Sequence, residues 1–596
     1  MGRRAAESEL RSWERSLPVL AEDLREAGLS EVEVLVEYQL PLSSKRVDAL
    51  LAGVHPRTGN PSYVLVELKQ WSQAEPHEDA PDLCYVETYG RHPVLHPVEQ
   101  VRRYCTFLAD FSRALEGEAD ALAGAAYLHN ATEFGVSGLR ALPEDSHGQL
   151  FTRERRGDFL DFLRRRLAPA PGIEPADVLL SSAVAPSRQL LTVAATEVQQ
   201  REQFTLLDEQ QVAYRLVLTS VERARAANAK QIVLVTGGPG SGKSVIALSV
   251  LGELWRQGRA ALHATGSKSF TETLRKVAGA RNSRVKSLFK YFNSFMAAEA
   301  NGLDVLICDE AHRMRETSVN RYTKAELRTE KRQVEELIDA ARVPVFLLDQ
   351  HQVVRPGETG TPDLIRAAAA ERNIGVIEVP LDAQFRCGGS RTYEEWVRRL
   401  LGLEPGGPIT WEGDTYFELR LAESPAELEE LLRLKTSEGY GARMTAGFCW
   451  PWSDPRPDGS LVEDVAIGSW RRPWNLKGDR GVGGAPPASL WATDPAGFGQ
   501  VGCIYTAQGF EYDWNGVIFG PDLVWRDDRW MVQRSASKDP GLRGVDDAEA
   551  DRLLRNVYKV LLTRGMVGTT IHSVDPETQE RLGALISDSL TVVAST

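Results

Sequence analysis

Short hydrophobic runs separated by polar, Gly- and Pro-containing turns dominate the first part of the chain. Residues 32–40, 46–52 and 63–68 have the apolar and β-branched character of strands, and residues 55–61 (HPRTGNP) form a turn between the last two. A further strand is predicted over 125–129. Amphipathic helices are predicted over 7–29, interrupted near Pro18, and over 150–168. These elements predict a small α/β domain at the N-terminus.

The rest of the chain repeats a different pattern, in which an apolar run ends in polar or Gly-rich residues. Such runs lie at 232–235, 259–265, 304–309 and 343–348, and a run at 443–450 is expected as a strand of a second lobe. Apolar strands with polar carboxyl ends are typical of parallel α/β sheets. We therefore expect domains at 1–167, 193–378 and 379–596. A linker is expected at 168–192, where Pro, Gly and small polar residues accumulate.

Residues 231–249 (QIVLVTGGPGSGKSVIALS) place a glycine-rich loop between a strand and a helix, and they match the Walker A pattern in full. Glycines let backbone N–H groups turn toward phosphate oxygens, and the helix N-terminus adds its positive dipole end. Lys243 can reach the β- and γ-phosphates, and the Ser244 hydroxyl can ligate Mg²⁺. The loop predicts a site for ATP and Mg²⁺. Its residues are Gly237, Gly238, Pro239, Gly240, Ser241, Gly242, Lys243 and Ser244.

Residues 304–312 (DVLICDEAH) form an apolar strand that ends in acidic residues, the Walker B pattern. Asp309 is expected to hold Mg²⁺ through its water shell, and Glu310 to take a proton from the attacking water. His312 is placed to couple hydrolysis to a bound nucleic-acid strand. Together with the upstream loop, this motif predicts ATP hydrolysis at the carboxyl end of a parallel sheet.

Three polar residues interrupt the apolar N-terminal strands. Asp48 lies in one strand of the predicted hairpin, and Glu67 and Lys69 lie two positions apart on the next, so that they share a face. Two carboxylates are the hard oxygen ligands that Mg²⁺ prefers, with Mn²⁺ as the alternative. An adjacent lysine can activate water and stabilise a pentacovalent phosphate. The cluster predicts a divalent-metal site, against the simpler interpretation of ordinary charges at a sheet edge.

This cluster resembles the PD-(D/E)xK nuclease family over roughly residues 1–135. The resemblance implies that the two carboxylates bind the metal and that the lysine takes part in catalysis. Residues 100–104 (QVRRY) resemble the QxxxY motif of the RecB-like branch, in which Gln100 and Tyr104 share a helix face and position the substrate and the catalytic residues. The family also implies a third metal ligand from a glutamate, either Glu14 or Glu37.

Residues 195–590 resemble superfamily 1 helicases, and most closely the Schlafen group-3-like helicase domains. The resemblance rests on 384–388 (QFRCG), 503–513 (CIYTAQGFEYD) and 558–568 (YKVLLTRGMVG), and on a motif III in which Leu348 replaces the usual glycine. It implies arginine fingers that neutralise the charge developing on the γ-phosphate. Besides the Walker residues, it assigns Gln210, with Gln211 as the alternative, to the adenine edge. It assigns Gln352, Arg386, Gly509, Glu511 and Arg564 to ATP or its hydrolysis, with Arg386 and Arg564 as the arginine fingers. The segment 503–513 corresponds to motif V of that family.

The composition, 42% hydrophobic and 26% charged, is typical of a soluble globular protein. No apolar run is long enough for a membrane span, and no signal peptide is apparent. The six cysteines are scattered without a CxxC pair, which argues against a zinc site and a disulfide framework and favours the cytoplasm. A net charge of −13 does not itself indicate nucleic acid. Residues 268–290 are nevertheless locally basic, and Tyr291 and Phe292 could stack on bases. The alternative for this patch is a solvated helix face.

Together the patterns predict an α/β protein with an N-terminal PD-(D/E)xK nuclease sandwich and two RecA-like P-loop NTPase lobes built on parallel sheets. We expect an ATP-dependent helicase or translocase coupled to a metal-dependent endo- or exonuclease. Its expected partner is nucleic acid, DNA rather than RNA, in DNA processing or defence against foreign DNA. The alternatives are an RNA-directed enzyme, a nucleic-acid-sensing ATPase that gates the nuclease without unwinding, and a binding protein with an inactive nuclease. Homo-oligomers and partner proteins cannot be read from the sequence.

Overall fold

The computed structural model divides the chain into two compact units. The first comprises Met1–Ala185 and Thr205–Thr219, and the second comprises Pro186–Phe204 and Ser220–Thr596. Residues 205–219, expected in the ATPase part, therefore fold with the N-terminal part. The structure describes residues 7–41, 43–90, 92–115, 119–182, 197, 204–227, 229–238, 240–278, 283–319, 323, 328–349, 357–381, 387–415, 417–478, 480–508 and 510–586.

The first unit combines helices with a mixed sheet. Its helices are α1 (Glu7–Glu26), α2 (Pro97–Phe111), α3 (Arg156–Arg166) and α4 (Ile173–Leu180), and α5 (Glu209–Ala227) begins in this unit. Its strands are β1 (Glu33–Gln39), β2 (Arg46–Val54), β3 (Pro61–Leu68), β4 (Glu75–Pro76), β5 (Leu83–Tyr85), β6 (Val94–Leu95), β7 (Leu122–Leu128) and β8 (Gln149–Thr152). Helix α1 continues through Pro18, so the predicted interruption is absent.

The main sheet of this unit has the order β1-β2-β3-β7-β8, in which β1, β2 and β3 pair antiparallel and β3, β7 and β8 pair parallel. Side chains along β3 alternate between the two faces of the sheet. Val64 and Val66 pack in a core with residues of α1 and α3. Glu67 takes the opposite face, where α2 packs closely enough that a Cβ on Gly124 would lie 3.0 Å from the Val101 side chain. The unit is an α/β sandwich with its polar residue Glu67 beneath α2.

Two predicted elements of this unit differ from the structure. The helix expected over 150–168 begins only at Arg156, because Leu150 and Phe151 are buried in β8 at the edge of the sheet beside β7. The linker expected over 168–192 begins with chain that packs on the sheet. There Tyr63 donates its hydroxyl hydrogen to the carbonyl oxygen of Pro175, in α4, at 3.0 Å.

The second unit contains two parallel sheets. The elements of its first lobe, after α5, are β9 (Gln231–Gly237), α6 (Lys243–Arg256), β10 (Ala261–Thr265), α7 (Lys268–Val277), α8 (Ser283–Ser287), β11 (Phe289–Tyr291), β12 (Leu303–Asp309), α9 (Gln333–Ala340), β13 (Ala341–Leu348), α10 (Pro362–Ala370) and β14 (Gly375–Leu381). The sheet order is β11-β10-β12-β13-β9-β14, with every described pairing parallel.

The carboxyl ends of β9 and β12 thus meet at one edge of this sheet, with β13 between them. The strands are almost wholly buried, which explains why they appear as continuous apolar runs in the sequence. The predicted division between 378 and 379 falls inside β14. Because β14 pairs with β9 along its length, the first lobe extends to at least Leu381.

The second lobe has a parallel sheet of order β15-β23-β20-β16-β19. The elements of this lobe are α11 (Arg391–Leu400), β15 (Glu418–Leu421), α12 (Pro425–Ser437), β16 (Ala442–Ala446), β17 (Val465–Ile467), β18 (Trp470–Arg472), β19 (Val501–Gly502), α13 (Ile504–Ala507), β20 (Tyr512–Phe519), β21 (Leu523–Arg526), β22 (Arg529–Val532), α14 (Asp547–Leu562), β23 (Gly565–Ser573) and α15 (Pro576–Ile586). The predicted α/β class with parallel sheets is confirmed.

All six cysteines are buried free thiols. Within the ranges given above, no helix is both long and apolar enough to cross a membrane.

Candidate functional site

The loop between β9 and α6 is shaped by glycines at two places. Gly242 adopts φ 82°, in the left-handed region that side chains rarely enter. At Gly237 a Cβ would lie 2.5 Å from the Ser241 hydroxyl oxygen, closer than packing allows. Glycine at both positions therefore permits a tight turn whose backbone N–H groups can approach a phosphate. Gly238 and Gly240 lie in the same turn.

Lys243 begins α6 and folds back over this loop. Its ammonium donates to the carbonyl oxygens of Gly237 at 2.9 Å and Gly238 at 2.6 Å, and to the Ser241 hydroxyl at 3.1 Å. Carbonyl and hydroxyl oxygens are weaker partners for an ammonium than the charged oxygens of a phosphate. The side chain is therefore held at the loop in a position from which it can exchange these oxygens for those of a nucleotide.

Asp309, the last residue of β12, is fully buried beside the start of α6. Burial raises its pKa, but hydrogen bonds from His263, from the Ser244 side chain and from the N–H of Glu310 outweigh burial and leave that pKa below its usual range. Asp309 is therefore an anion at neutral pH. Together with the Ser244 hydroxyl, it supplies the hard oxygen atoms that suit Mg²⁺.

Glu310 follows with φ 51°, a left-handed conformation that costs energy in a residue with a side chain. Its carboxylate accepts a hydrogen bond from the Thr265 hydroxyl at 3.3 Å and pairs with the Arg313 guanidinium at 3.1 Å. Arg313 is only 4% exposed, so the pair is shielded from water. The strained turn and its two partners hold the carboxylate at the end of the sheet where β9 leads into the P-loop.

His312 lies beneath this turn and is 1% exposed. Burial, followed by the charges of Arg313 and Lys243, holds its pKa well below the usual range, so the ring is neutral. Neither ring nitrogen has a hydrogen-bond partner among the residues that the structure describes.

In the second lobe Arg564 lies just after α14 and is 1% exposed. Its guanidinium donates to the carbonyl oxygen of Val560 at 2.9 Å and to that of Phe510 at 3.2 Å. The bond to Phe510 joins the predicted arginine finger to the predicted motif V, in which Glu511 directly precedes β20. Four further residues assigned to this site, Pro239, Gln352, Arg386 and Gly509, lie outside the described residues.

The N-terminal polar cluster is assembled on the face of the first-unit sheet that α2 covers. The antiparallel register pairs Ala49 with Val66, so that Asp48 and Glu67 lie beside each other on neighbouring strands. One oxygen of Asp48 accepts a hydrogen bond from the N–H of Leu68 at 2.7 Å. The ammonium of Lys69 pairs with Glu67 at 2.9 Å. The structure thus brings together the three residues that the sequence singled out.

Burial and mutual repulsion dominate the electrostatics of this cluster. Glu67 is 2% exposed, and burial followed by the charge of Asp48 raises its pKa. Burial also raises the pKa of Asp48, although Lys69 opposes the shift. Burial lowers the pKa of Lys69, but the two carboxylates outweigh it and leave that pKa above its usual range. The site therefore contains two adjacent acids that a further positive charge would stabilise as anions.

The metal that the nuclease resemblance implies can be tested against these atoms. Oxygen Oε1 of Glu67 is buried and has no hydrogen-bond partner within the described part of the chain. No group of three or more His, Cys, Asp or Glu side chains suited to a metal occurs in that part. Mg²⁺ commonly uses only one or two carboxylates and keeps several waters. Asp48 and Glu67 fit such an ion.

Gln100 and Tyr104 meet on the buried side of α2. The Gln100 amide donates to the Tyr104 hydroxyl oxygen at 3.0 Å, and that hydroxyl donates to Asp208 at 2.8 Å. Burial raises the pKa of Tyr104 well above its usual value, so the phenol keeps its proton and remains a donor. Gln100, Tyr104 and Asp208 therefore form a chain of hydrogen bonds that ends on a carboxylate of the segment 205–219.

The third metal ligand stays a prediction. Glu37 lies on β1 at the position opposite Asp48 in the register and adopts φ 52°. Glu14 lies in α1, and its side chain lies outside the described residues.

The two candidate adenine-reading glutamines both lie at the start of α5, in the first unit. The Gln210 side-chain oxygen accepts from the N–H of Leu207 at 3.1 Å, and the Gln211 amide donates to Asp82 at 3.1 Å. Their role toward adenine stays a prediction.

His96 caps α2, the helix that carries the QxxxY pair, and gives it a defined pH dependence. Its Nδ1 accepts from the N–H of Val98 at 3.2 Å, and its Nε2 lies 3.0 Å from the carbonyl oxygen of Leu139, so both bonds require a neutral ring with the proton on Nε2. Burial lowers the pKa of His96 to about 4. Because an unfolded histidine has a pKa of about 6.5, this stabilisation is complete above about pH 6.5 and is lost as the pH falls toward 4.

We expect the α2 amides to lose about 2 kcal/mol of protection through this residue between pH 7 and pH 5, measured by native-state hydrogen exchange. His96→Asn keeps an acceptor for the helix cap but does not titrate, so its pH dependence should be flatter by that amount. All other titrating groups occur in both proteins and cancel in the comparison. Equal pH dependence of the two proteins would contradict the assigned tautomer.

Parallel sheets that bring a Walker A loop and an Asp-Glu pair to one edge, followed by a second parallel-sheet lobe, define a P-loop NTPase of the helicase type. The family model "Schlafen group 3, DNA/RNA helicase domain" matches residues 230–575, more than half of the chain. The chain belongs to this family. The predicted resemblance to Schlafen group-3-like helicase domains is thereby confirmed.

An uncharacterised protein of Saccharomyces cerevisiae, YPL245W, is 21% identical over 451 residues, which cover 67% of this chain and 95% of the yeast protein. Among solved structures, similarity is found to the Pif1 helicase from Candida albicans (TM-score 0.20, 15% identity, 39% of this chain and 54% of that chain). It is also found to AMPPCP-bound DnaA from Aquifex aeolicus (0.17, 14%, 33% and 53%) and the Pyrococcus furiosus Hef helicase domain (0.18, 13%, 38% and 45%). The chain spans about half the length of these solved chains.

Four residues at these sites escaped the sequence analysis. They are His263 and Arg313, which contact the Walker B acids, and Lys45 and Asp208, which contact the N-terminal site. Arg313 could have been suspected because it directly follows DEAH. The other three carry no local signal, since each reaches its site through the tertiary fold.

Proposed function

We propose that this chain is an ATP-driven nucleic-acid helicase or translocase whose first unit is a divalent-metal nuclease. The observation that carries the motor part is the meeting of Ser244, Asp309 and Glu310 at one edge of a parallel sheet. The nuclease part is supported by the buried cluster of Asp48 and Glu67 next to a lysine.

In the proposed ATPase cycle, Lys243 leaves the carbonyl oxygens of its own loop and binds phosphate oxygens. Ser244 and Asp309 would hold Mg²⁺, which neutralises phosphate charge when it is bound. Glu310 accepts the proton of the attacking water. To take that proton, the Glu310 carboxylate must turn away from Arg313. The Glu310–Arg313 ion pair therefore opposes hydrolysis in the conformation described. Arg386 and Arg564 are proposed as the arginine fingers.

In the proposed nuclease, Asp48 and Glu67 would hold Mg²⁺ or Mn²⁺, which supplies Lewis-acid activation of a phosphate when it is bound. Lys69 keeps its proton and can stabilise negative charge on the phosphate. Gln100 and Tyr104 position hydrogen-bond donors beside these acids. We favour DNA as the substrate, used in DNA processing or in defence against foreign DNA.

A second candidate is an ATPase that senses nucleic acid and gates the nuclease without unwinding. One observation favours it. Residues 205–219 fold with the first unit, yet the same helix α5 continues to Ala227, shortly before the P-loop strand β9. An RNA-directed enzyme is the third candidate, because the family description covers DNA and RNA alike.

The test is ATP hydrolysis by the purified full chain with single-stranded DNA, single-stranded RNA or neither. We expect stimulation of about tenfold, within the usual range of coupling between two sites, and larger for DNA. Lys243→Met should lose the activity, whereas Lys331→Met, a change at an exposed lysine of the same lobe, should retain it. Lack of stimulation by either nucleic acid would exclude a motor. Stimulation without strand displacement would favour the gating ATPase.

A further inference from the structure

The start of α5 brings two carboxylates to the N-terminal site from a distant part of the sequence. Asp208 accepts a hydrogen bond from the Tyr104 hydroxyl at 2.8 Å and pairs with the Lys45 ammonium at 3.0 Å. Glu209 accepts from the same ammonium at 2.6 Å and 2.8 Å. Lys45 is 17% exposed on its side chain, so these contacts are largely shielded from water.

The donors that hold Asp208 are of the type that binds a phosphodiester. A lysine ammonium and a hydroxyl that converge on one anion would serve a phosphate oxygen as well as a carboxylate oxygen. Tyr104 is oriented by Gln100 and cannot turn away without losing that bond. Tyr104, which the nuclease resemblance assigns to the substrate together with Gln100, thus donates its hydrogen bond to an acid of the chain itself.

The location of Asp208 next to the acidic cluster supports this interpretation. Its donor Tyr104 lies on α2, the helix that covers the sheet face holding Glu67. Its other partner, Lys45, directly precedes β2, the strand that carries Asp48. Lys45 and Tyr104 therefore border the proposed reaction site.

The contact of Asp208 with Lys45 and Tyr104 forms in spite of several unfavourable features. Asp208 adds negative charge beside two buried acids, and like charges at short range repel one another. Asp208 adopts φ 41°, a left-handed conformation that is unfavourable for a residue with a side chain. Its oxygen Oδ1 is buried without a hydrogen-bond partner in the part of the chain that the structure describes. A segment held in this way can be displaced by another anion that binds the same donors.

We propose that Lys45 and Tyr104 form a phosphodiester-binding subsite of the N-terminal site and that Asp208 and Glu209 occupy it as an internal competitor. The proposal rests on the proposed nuclease function, since that function defines what the neighbouring acids do. Nucleic acid gains access to the acids when the start of α5 leaves Lys45.

The test uses the full chain with the double substitution Asp208→Asn and Glu209→Gln, which removes the competing charge and preserves side-chain size. A thiothymidine-containing single-stranded oligonucleotide is cross-linked without divalent metal, and the adducts are mapped to peptides of the first unit. We expect about tenfold more adduct at the peptide that contains Tyr104, the change that one charge-assisted contact would produce. Adding Lys45→Met to this double variant should abolish the gain in adduct. The matched control is Asp158→Asn with Asp161→Asn, which removes the same charge from exposed residues of α3.

Three results would overturn the proposal. They are an adduct yield equal to that of the control, a gain that survives Lys45→Met, and a loss of Mg²⁺-dependent cleavage in the Asp208/Glu209 variant without a gain in adduct. The last result would make Asp208 a participant in the reaction. If the adduct gain appears and depends on Lys45 while no variant cuts nucleic acid, the subsite is supported and the nuclease function fails.

Discussion

Replacing Glu310 by Gln should lower the rate of ATP hydrolysis about a thousandfold, the middle of the range for removing a general base. The amide has the size of the carboxylate and can still accept the hydrogen bond from Thr265, but it cannot take a proton from water. ATP binding should remain close to that of the wild type, because the phosphate contacts expected from the loop and Lys243 do not involve this side chain.

The measurement is single-turnover hydrolysis together with equilibrium binding of a fluorescent ATP analogue. Glu316→Gln is the matched control, since Glu316 lies on the surface of the same segment. Loss of the general base should leave far less than a tenth of the wild-type activity. Retention of a tenth or more would therefore show that Glu310 is not the base. Loss of binding together with hydrolysis would show instead that the Glu310–Arg313 pair maintains the site.

Replacing Asp48 by Asn should reduce metal-dependent cleavage of nucleic acid by at least about a hundredfold, because even the supporting partners of metal ligands commonly contribute ten- to a hundredfold. The amide keeps an acceptor for the N–H of Leu68 but removes one of the two negative charges beside Glu67. Removing that charge also lowers the pKa of Glu67, since Asp48 is one of the groups that raise it. The loss should therefore come from weaker metal binding and not from unfolding.

The measurement is cleavage of end-labelled linear duplex DNA in Mg²⁺, with and without ATP, and then of RNA. Asp158→Asn, on the surface of α3, is the matched control. Lys243→Ala run in parallel separates two mechanisms. If it also abolishes cleavage, the motor feeds the nuclease, and if cleavage persists without ATP, the two units are separable. Full cleavage by both Asp48→Asn and Lys69→Ala would exclude this cluster as the active site.

Local sequence determined the ATP-binding loop and the Walker B strand. A glycine-rich loop depends on φ values and close approaches within a few residues, as at Gly242 and Gly237, so the order of residues is sufficient to predict it. The pairing of Glu67 with Lys69 was also predictable, because two positions along a strand share a face. For the same reason the parallel strands were recognisable as continuous apolar runs.

Element boundaries were less predictable where packing overrides local preference. Residues 149–152 share a helical spacing of apolar positions with α3, yet they form β8 because the edge of β7 offers backbone hydrogen bonds and a buried face. Helix α1 continues through Pro18, since the packing of its apolar side in the core outweighs the lost hydrogen bond.

The sequence by itself predicted which motif residues form each candidate site, and the tertiary structure decided which distant residues contact them. Asp208 lies far along the chain from Lys45 and Tyr104, and His263 lies in a strand separate from Asp309, so no local pattern links them. Motifs within one turn are set by local backbone geometry, which nearby residues control. Contacts between distant segments depend on how sheets and helices pack, and a shift of one residue in register would remove them.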